Sequence, residues 1–235
     1  MPDFTVKDRY DFADLLLVMK RLTAPDGCPW DKEQTHDSIR TNMIEEAYEA
    51  VDAITRRDIP NMREELGDVL LQVVFHCDMA ERNGEFTLSD VIDELVKKLV
   101  FRHPHVFGEV KANDAAEALT SWESAKAVEK NYSTLAEQLA RIPSGFPALL
   151  KCQKLYKKCK KSGLNLEETI LTDKIDGILS NGINADNAGG FLFAAAALCT
   201  EKGADPEVAL SDYAEDFRRR AEKADEDGKT DEFAL

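Results

Sequence analysis

The sequence predicts an all-α fold, a helical bundle built as two tandem units. Three observations carry that expectation: apolar residues recur at helical spacing along most of the chain, no segment alternates convincingly as a strand, and Gly, Pro and Asn signals divide the periodic stretches. The first helix is expected at Phe12, Leu15, Leu16, Met19 and Leu22, and the second at Ile39, Met43, Ala47, Ala50, Val51 and Ile54. A third runs from about Pro60 to Arg82 with Leu66, Val69, Leu70, Val73, Val74 and Cys77 inward, and stops at the Asn83-Gly84 turn signal. Thr87 or Ser89 caps a fourth, which continues through Leu95 and Leu99 to the break at His103-Pro104. A shorter helix holds Ala115 to Glu129.

The turn-rich segment Arg141-Ile-Pro-Ser-Gly-Phe-Pro147 marks the boundary between units. Beyond it come a basic amphipathic helix (Leu149 to Lys161), a Gly/Asn-rich stretch (Asn181 to Gly190), a nearly all-apolar helix (Phe191 to Cys199) and a last helix from about Asp205-Pro206. Residues 1–135 and 141–225 are the expected units, with 226–235 a charged, frayed tail. Sliding the chain against itself by 122 residues places Gly67 on Gly189, Val69–Phe75 on Phe191–Ala197, and Leu88-Ser89-Asp90 on Leu210-Ser211-Asp212, the mark of a duplicated helical unit.

Composition narrows the function. With 45 acidic against 30 basic residues the chain carries a net charge of −15, which repels a polyphosphate backbone and argues against nucleic acid as a partner. No apolar run is long enough to span a membrane, and none near the N-terminus resembles a signal peptide, so a cytoplasmic location is expected. Cys28, Cys77, Cys152, Cys159 and Cys199 are scattered and never spaced as CxxC, which disfavours a disulfide framework or a structural zinc site.

Two acidic strings stand out: Glu45-Glu46-Ala-Tyr-Glu49 on the second helix and Glu64-Glu65-Leu-Gly-Asp68 on the third. Residues three apart share a helix face, so Glu46 with Glu49, and Glu65 with Asp68, each present two carboxylates in one direction. If the helices pack antiparallel through the turn at Arg57 to Asn61, the pairs face one another. Such acids repel unless cations neutralise them, and hard oxygen ligands select Mg²⁺, with Mn²⁺ a possible substitute, over zinc. Gly67, inside an otherwise strong helix, is expected to permit close approach. Glutamates are also good helix formers, and either string alone also reads as a solvated face.

Together with Gly27-Cys-Pro-Trp-Asp-Lys-Glu-Gln-Thr-His36, Asp68-Val-Leu-Leu-Gln-Val-Val-Phe-His76 and Arg102-His-Pro-His-Val-Phe-Gly108, these strings resemble the MazG family of nucleoside triphosphate pyrophosphohydrolases. The match runs through the first 130 residues, and Ile142-Pro-Ser-Gly-Phe-Pro147 fits the start of a second MazG unit. The resemblance implies an all-α homodimer or higher oligomer that splits nucleoside triphosphates into monophosphate and pyrophosphate. Carried over by position, it makes Glu46, Glu49, Glu65 and Asp68 the metal ligands, with Glu45 beside them, and Glu49 or Glu46 the base for the attacking water.

For the rest of the nucleotide the candidates are Lys98 with Arg102, and Trp122 with Lys126, each pair four apart on one helix face; the alternative for Lys98 and Arg102 is pairing with surface acids. Trp30 and Lys32 are further candidates, Trp30 being either a base-stacking platform or a plug at the helix entrance. His103 and His105 flank a proline, where capping is expected.

The second unit departs from the pattern. At the same offset Glu65 falls on Asn187 and Asp68 on Gly190, and Asp173–Asn181 keeps only scattered acids where EExxE is expected. An ungapped alignment offers Glu167-Glu168, but Glu49 then meets Leu171. The expectation is a degenerate second unit kept for packing or assembly. The competing reading is a non-catalytic nucleotide-binding or interaction protein on a decayed MazG-like scaffold.

Overall fold

The computed structural model describes residues 4–130 and 134–227, and among these there are helices and no strand. The helices are α1 (Phe12–Leu22), α2 (Pro29–Glu33), α3 (Arg40–Thr55), α4 (Ile59–Asn83), α5 (Leu88–Arg102), α6 (Pro104–Phe107), α7 (Ala115–Lys130), α8 (Leu135–Ala140), α9 (Ala148–Lys161), α10 (Glu168–Asn181), α11 (Ala188–Glu201) and α12 (Pro206–Glu226). The chain divides into two compact units, Met1–Lys126 and Ala127–Leu235. Of the expected tail, all but Glu226, the last residue of α12, and Asp227 lies outside the described residues.

In the first unit the helix ends follow from short polar side chains. Asp11 and Asp14 form a capping box that starts α1, and Thr87 and Asp90 another that starts α5, each satisfying donors the first turn leaves unpaired. Asp58 accepts from Asn61 N at 3.2 Å at the head of α4, with Pro60 in the first turn. Gly84 ends α4 in the left-handed conformation at φ 72°, and Glu85 N closes the cap on Ala80 O at 2.9 Å. The tighter turn between α3 and α4 places Arg57 at φ 56°, a conformation an L side chain adopts at a cost.

The hairpin of α3 and α4 is the centre of this unit, with α1 and α5 also packed on α4. Its core gathers Met19, Ile39, Val74, Phe75 and Met79, with Leu15, Leu16 and Leu71 against them. Leu66 and Leu70, expected inward, are instead 51% and 39% exposed, as are Val51 (51%) and Ile54 (53%) across the hairpin. The apolar stripes of α3 and α4 are wider than the first unit's own core can cover. Gly67 likewise departs from expectation: nothing lies within 4 Å of where a Cβ would stand, so no close approach within the chain requires it.

In the second unit α9 packs on α11, α11 on α10, and α12 on α9. Tyr156, Leu171 and Ala197 form its core, flanked by Leu166, Phe193 and Leu198. The Tyr156 hydroxyl donates to Glu201 at 2.6 Å, and Lys160 pairs with the same carboxylate. Asn184 and Asn187 knit the loop before α11, so the helix begins at Ala188 and takes in Gly189 and Gly190, which the sequence reading left in a Gly/Asn-rich stretch.

Candidate active site

The antiparallel register of α3 and α4 decides which acids meet. Glu46, Glu49 and Glu65 each bring a carboxylate oxygen within 4.8 Å of the other two, the one such group of possible metal ligands among the described residues. Glu46 and Glu65 are half-buried and Glu49 is exposed. Asp68 stands outside this triad, yet its charge acts on both Glu46 and Glu65. Glu45 is exposed, one position along α3, and acts on Glu46 by charge.

The electrostatics are those of an uncompensated anion cluster. Burial pushes the Glu46 carboxyl above the ordinary carboxylate range, and Asp68, Glu49 and Glu45 push it further. Burial raises Glu65 as well, reinforced by Glu49, Asp68, Glu64 and Glu46. Among the described residues no lysine or arginine offsets the charge on either group. Like charges this close repel, and protons or a bound cation relieve that repulsion.

Of the other candidates, Arg102, Trp122 and Lys126 come together. Two cations approach the Trp122 ring, Lys126 Nζ at 4.7 Å and Arg102 Cζ at 5.4 Å from its centroid. Arg102 is buried at 8% exposure, which a solvated surface pair does not require. Lys98 is half-buried one turn earlier on α5. Trp30 is 57% exposed and tilts against Phe75 at 6.5 Å between centroids, so it leans on the core while leaving most of its surface open. Lys32 Nζ reaches back to Pro25 O at 3.4 Å. His103 caps α5 through Nδ1, 2.6 Å from Leu99 O, the expected kind of role.

Two features escaped sequence reasoning. His36 and His76 meet Nδ1 to Nδ1 at 2.7 Å with parallel rings, and Glu85 lies 3.6 Å from the far nitrogen of His36. This pair ties the segment entering α3 to α4, on the same two helices that bring the acids together. Burial holds the His76 ring below the usual histidine range, and His36 adds to the effect. The second feature is Gln72, buried one turn beyond Asp68. Its spacing from Asp68 was visible in the sequence, but its burial was not.

At the matching place in the second unit no such cluster forms among the described residues. A Cβ at Gly190 would stand 3.5 Å from Lys174 Cε, so a lysine stem faces that position across the α10 and α11 pair. Asn187 spends its amide on the loop, accepting from Asn184 N at 2.8 Å and donating to Gly182 O at 2.9 Å.

The family model described as the MazG nucleotide pyrophosphohydrolase domain matches residues 34–107, which span both acidic strings. The nucleoside triphosphate pyrophosphohydrolase of Escherichia coli K12 is 38% identical over 220 residues, covering 88% of this chain and 84% of that protein. The nucleoside triphosphate pyrophosphohydrolase/pyrophosphatase MazG of Thermotoga maritima is 35% identical over 223 residues, covering 92% and 86%. A nucleoside triphosphate pyrophosphohydrolase of Mycobacterium tuberculosis is 39% identical over 177 residues, covering 74% of this chain and 52% of the relative. With a family model matched across the α3 and α4 hairpin and relatives matched over most of their length, the chain belongs to the MazG nucleotide pyrophosphohydrolase family.

Proposed function

We propose that this protein hydrolyses nucleoside triphosphates to the monophosphate and pyrophosphate, using Mg²⁺ held between α3 and α4. The observation that carries the reading is the triad of Glu46, Glu49 and Glu65 with oxygens within 4.8 Å of one another, beside Asp68 and without a compensating cation among the described residues. The names of the Escherichia coli, Thermotoga maritima and Mycobacterium tuberculosis relatives support the same activity.

The residues fit the metal. All the ligands are carboxylate oxygens, which suits Mg²⁺, or Mn²⁺ in its place, and among the described residues no thiol or imidazole joins the group to favour a softer ion. When bound, the cation supplies charge for the phosphates and acidifies a coordinated water. Glu46, Glu49, Glu65 and Asp68 hold it, and Glu45 adds negative charge from the adjoining position. Glu49, the exposed member, is open to the side from which water and substrate arrive, and either it or Glu46 accepts the proton of the attacking water. Lys98, Arg102 and Lys126 offer positive charge to phosphate oxygens. Trp122 and Trp30 offer ring faces to the base, with Lys32 beside Trp30.

In this reading activity resides in the first unit, residues 1–135, and the second, 141–225, is a degenerate copy. Lys174 against Gly190 and the loop-bound amide of Asn187 support that division, because neither position offers a carboxylate to a metal. The exposed stripe of Val51, Ile54, Leu66 and Leu70 supports a homodimer or higher oligomer, as apolar surface of this kind is ordinarily covered. Among the described residues no helix is long and apolar enough to cross a membrane, which agrees with a cytoplasmic enzyme.

The test is pyrophosphate release from the common nucleoside triphosphates, with Mg²⁺ and then with excess chelator. Release that stops on chelation and returns with Mg²⁺ or Mn²⁺ is the expected result. Turnover undiminished by chelator would sink the proposal.

A further inference from the structure

Gln72 is 6% exposed, yet its carbonyl Oε1 is buried with no hydrogen-bond partner among the described residues. A buried amide oxygen without a partner has given up water for nothing, and such a group calls for an explanation. Its position on α4 offers one. At about 100° per residue, Gln72 lies about 20° around the helix from Glu65 and about 40° from Asp68, so the three share a face. Helical side chains lean toward the N-terminus of their helix, which directs Gln72 over the turn that carries Asp68.

The register of the hairpin gives the same placement. Glu49 acts on Glu65 and Glu46 on Asp68 across the helices, Ile39 shares a core with Phe75, and His36 meets His76. Between the 46/68 acids and the 39/75 core falls one layer, occupied by Asn42 and Gln72. An apolar residue would close this layer on the core side; instead it holds a carboxamide with a free acceptor. Mg²⁺ commonly keeps several waters in its shell, and a water that binds a cation through oxygen has only protons left to offer. A buried acceptor facing a carboxylate cage is the partner such a water needs.

We propose that Gln72 is a positioning residue of the metal site: its carboxamide oxygen accepts a hydrogen bond from a water of the hydrated cation held by the α3 and α4 acids. The inference rests on reading those acids as a metal site, and it goes further by assigning a residue outside the acidic strings. The water gains a fixed orientation inside the cage, and the amide gains the partner it lacks in the protein alone.

The test is Mn²⁺ binding to the full chain, followed by the free-ion signal in electron paramagnetic resonance, for the wild type, Gln72→Leu, Gln72→Met and Glu65→Ala. Both Gln72 variants should raise the Mn²⁺ dissociation constant about 10- to 100-fold, the scale on which residues that orient metal ligands act. Without metal their thermal midpoints should match or exceed the wild type, because an unpaired buried amide has been removed. Mn²⁺ affinity within about twofold of wild type in both variants would overturn the proposal, and so would a fall in the metal-free midpoint of both, which would give Gln72 a partner inside the protein. A wild type that binds Mn²⁺ no more tightly than Glu65→Ala would instead overturn the metal reading itself.

Discussion

Glu49→Gln separates a metal-site carboxylate from a solvated helix face. The substitution keeps the shape of the side chain and removes one of three charges whose oxygens lie within 4.8 Å of one another. Glu49 is the strongest neighbouring charge raising Glu65 and the second strongest raising Glu46, so neutralising it relieves repulsion in the metal-free protein. Glu49 is exposed and sits outside the Ile39 and Phe75 core, so folding has nothing to lose. The cage, by contrast, loses an anionic ligand and its most accessible base. Loss of either role costs on the order of 100-fold in kcat. Pyrophosphate release under saturating Mg²⁺ measures the rate, and a thermal melt without metal measures the fold. The expected pair is a 100-fold loss of turnover with an unchanged or raised midpoint. A loss of less than about threefold would refute the assignment of Glu49 to the site.

The hairpin that carries the acids depends on its core: Phe75→Ala, at a position 4% exposed beside Ile39 and Met19, should cost about 3–5 kcal/mol in denaturant unfolding of the first unit. A cost below about 1 kcal/mol would show that the cluster does not fix the hairpin. The His36–His76 pair should make the first unit acid-sensitive. Because His76 titrates below the ordinary value of about 6.5 when folded, the unfolded chain takes up its proton first as pH falls. Stability is therefore present above that value and is lost as pH drops from about 6.5 toward the folded value. His76→Gln should flatten this part of the stability curve, and an unchanged slope would remove His76 as its source.

Much of the fold was legible because periodicity and punctuation agreed. Thr87 with Asp90, Gly84 after Asn83, and Pro206 after Asp205 are caps that local chemistry dictates, and they stand where the sequence expects them. The short helices α2, α6 and α8 were not assigned, since four to six residues carry too little periodicity to register. The hidden α10 has an intermittent apolar pattern, with Leu171 and Ile178 as its buried contacts. Leu66 and Leu70 differ from expectation because spacing identifies an apolar face and says nothing of what covers it.

The pairing of Glu46 with Glu49, and of Glu65 with Asp68, followed from three-residue spacing. Which carboxylates converge did not, because that depends on the register between α3 and α4. That register is set by contacts far apart in sequence: Ile39 with Phe75 in the core, and His36 with His76 at the hairpin's far end. Gln72 was invisible for a related reason. Spacing placed it one turn from Asp68, but only packing revealed that its oxygen is buried without a partner.

The central claim is that one metal cage, in the first unit, carries out the chemistry. Its most direct test is the rate of pyrophosphate release, with Mg²⁺ saturating, for the wild type, Glu65→Ala and Asn187→Ala. Asn187 serves its own loop through bonds to Asn184 and Gly182, so its replacement should leave kcat within about twofold even where it loosens the second unit, by less than a metal-site loss of about 100-fold. Glu65→Ala should remove nearly all turnover. Abolition of turnover by Asn187→Ala, with Glu65→Ala still active, would contradict the account and move the site to the other unit.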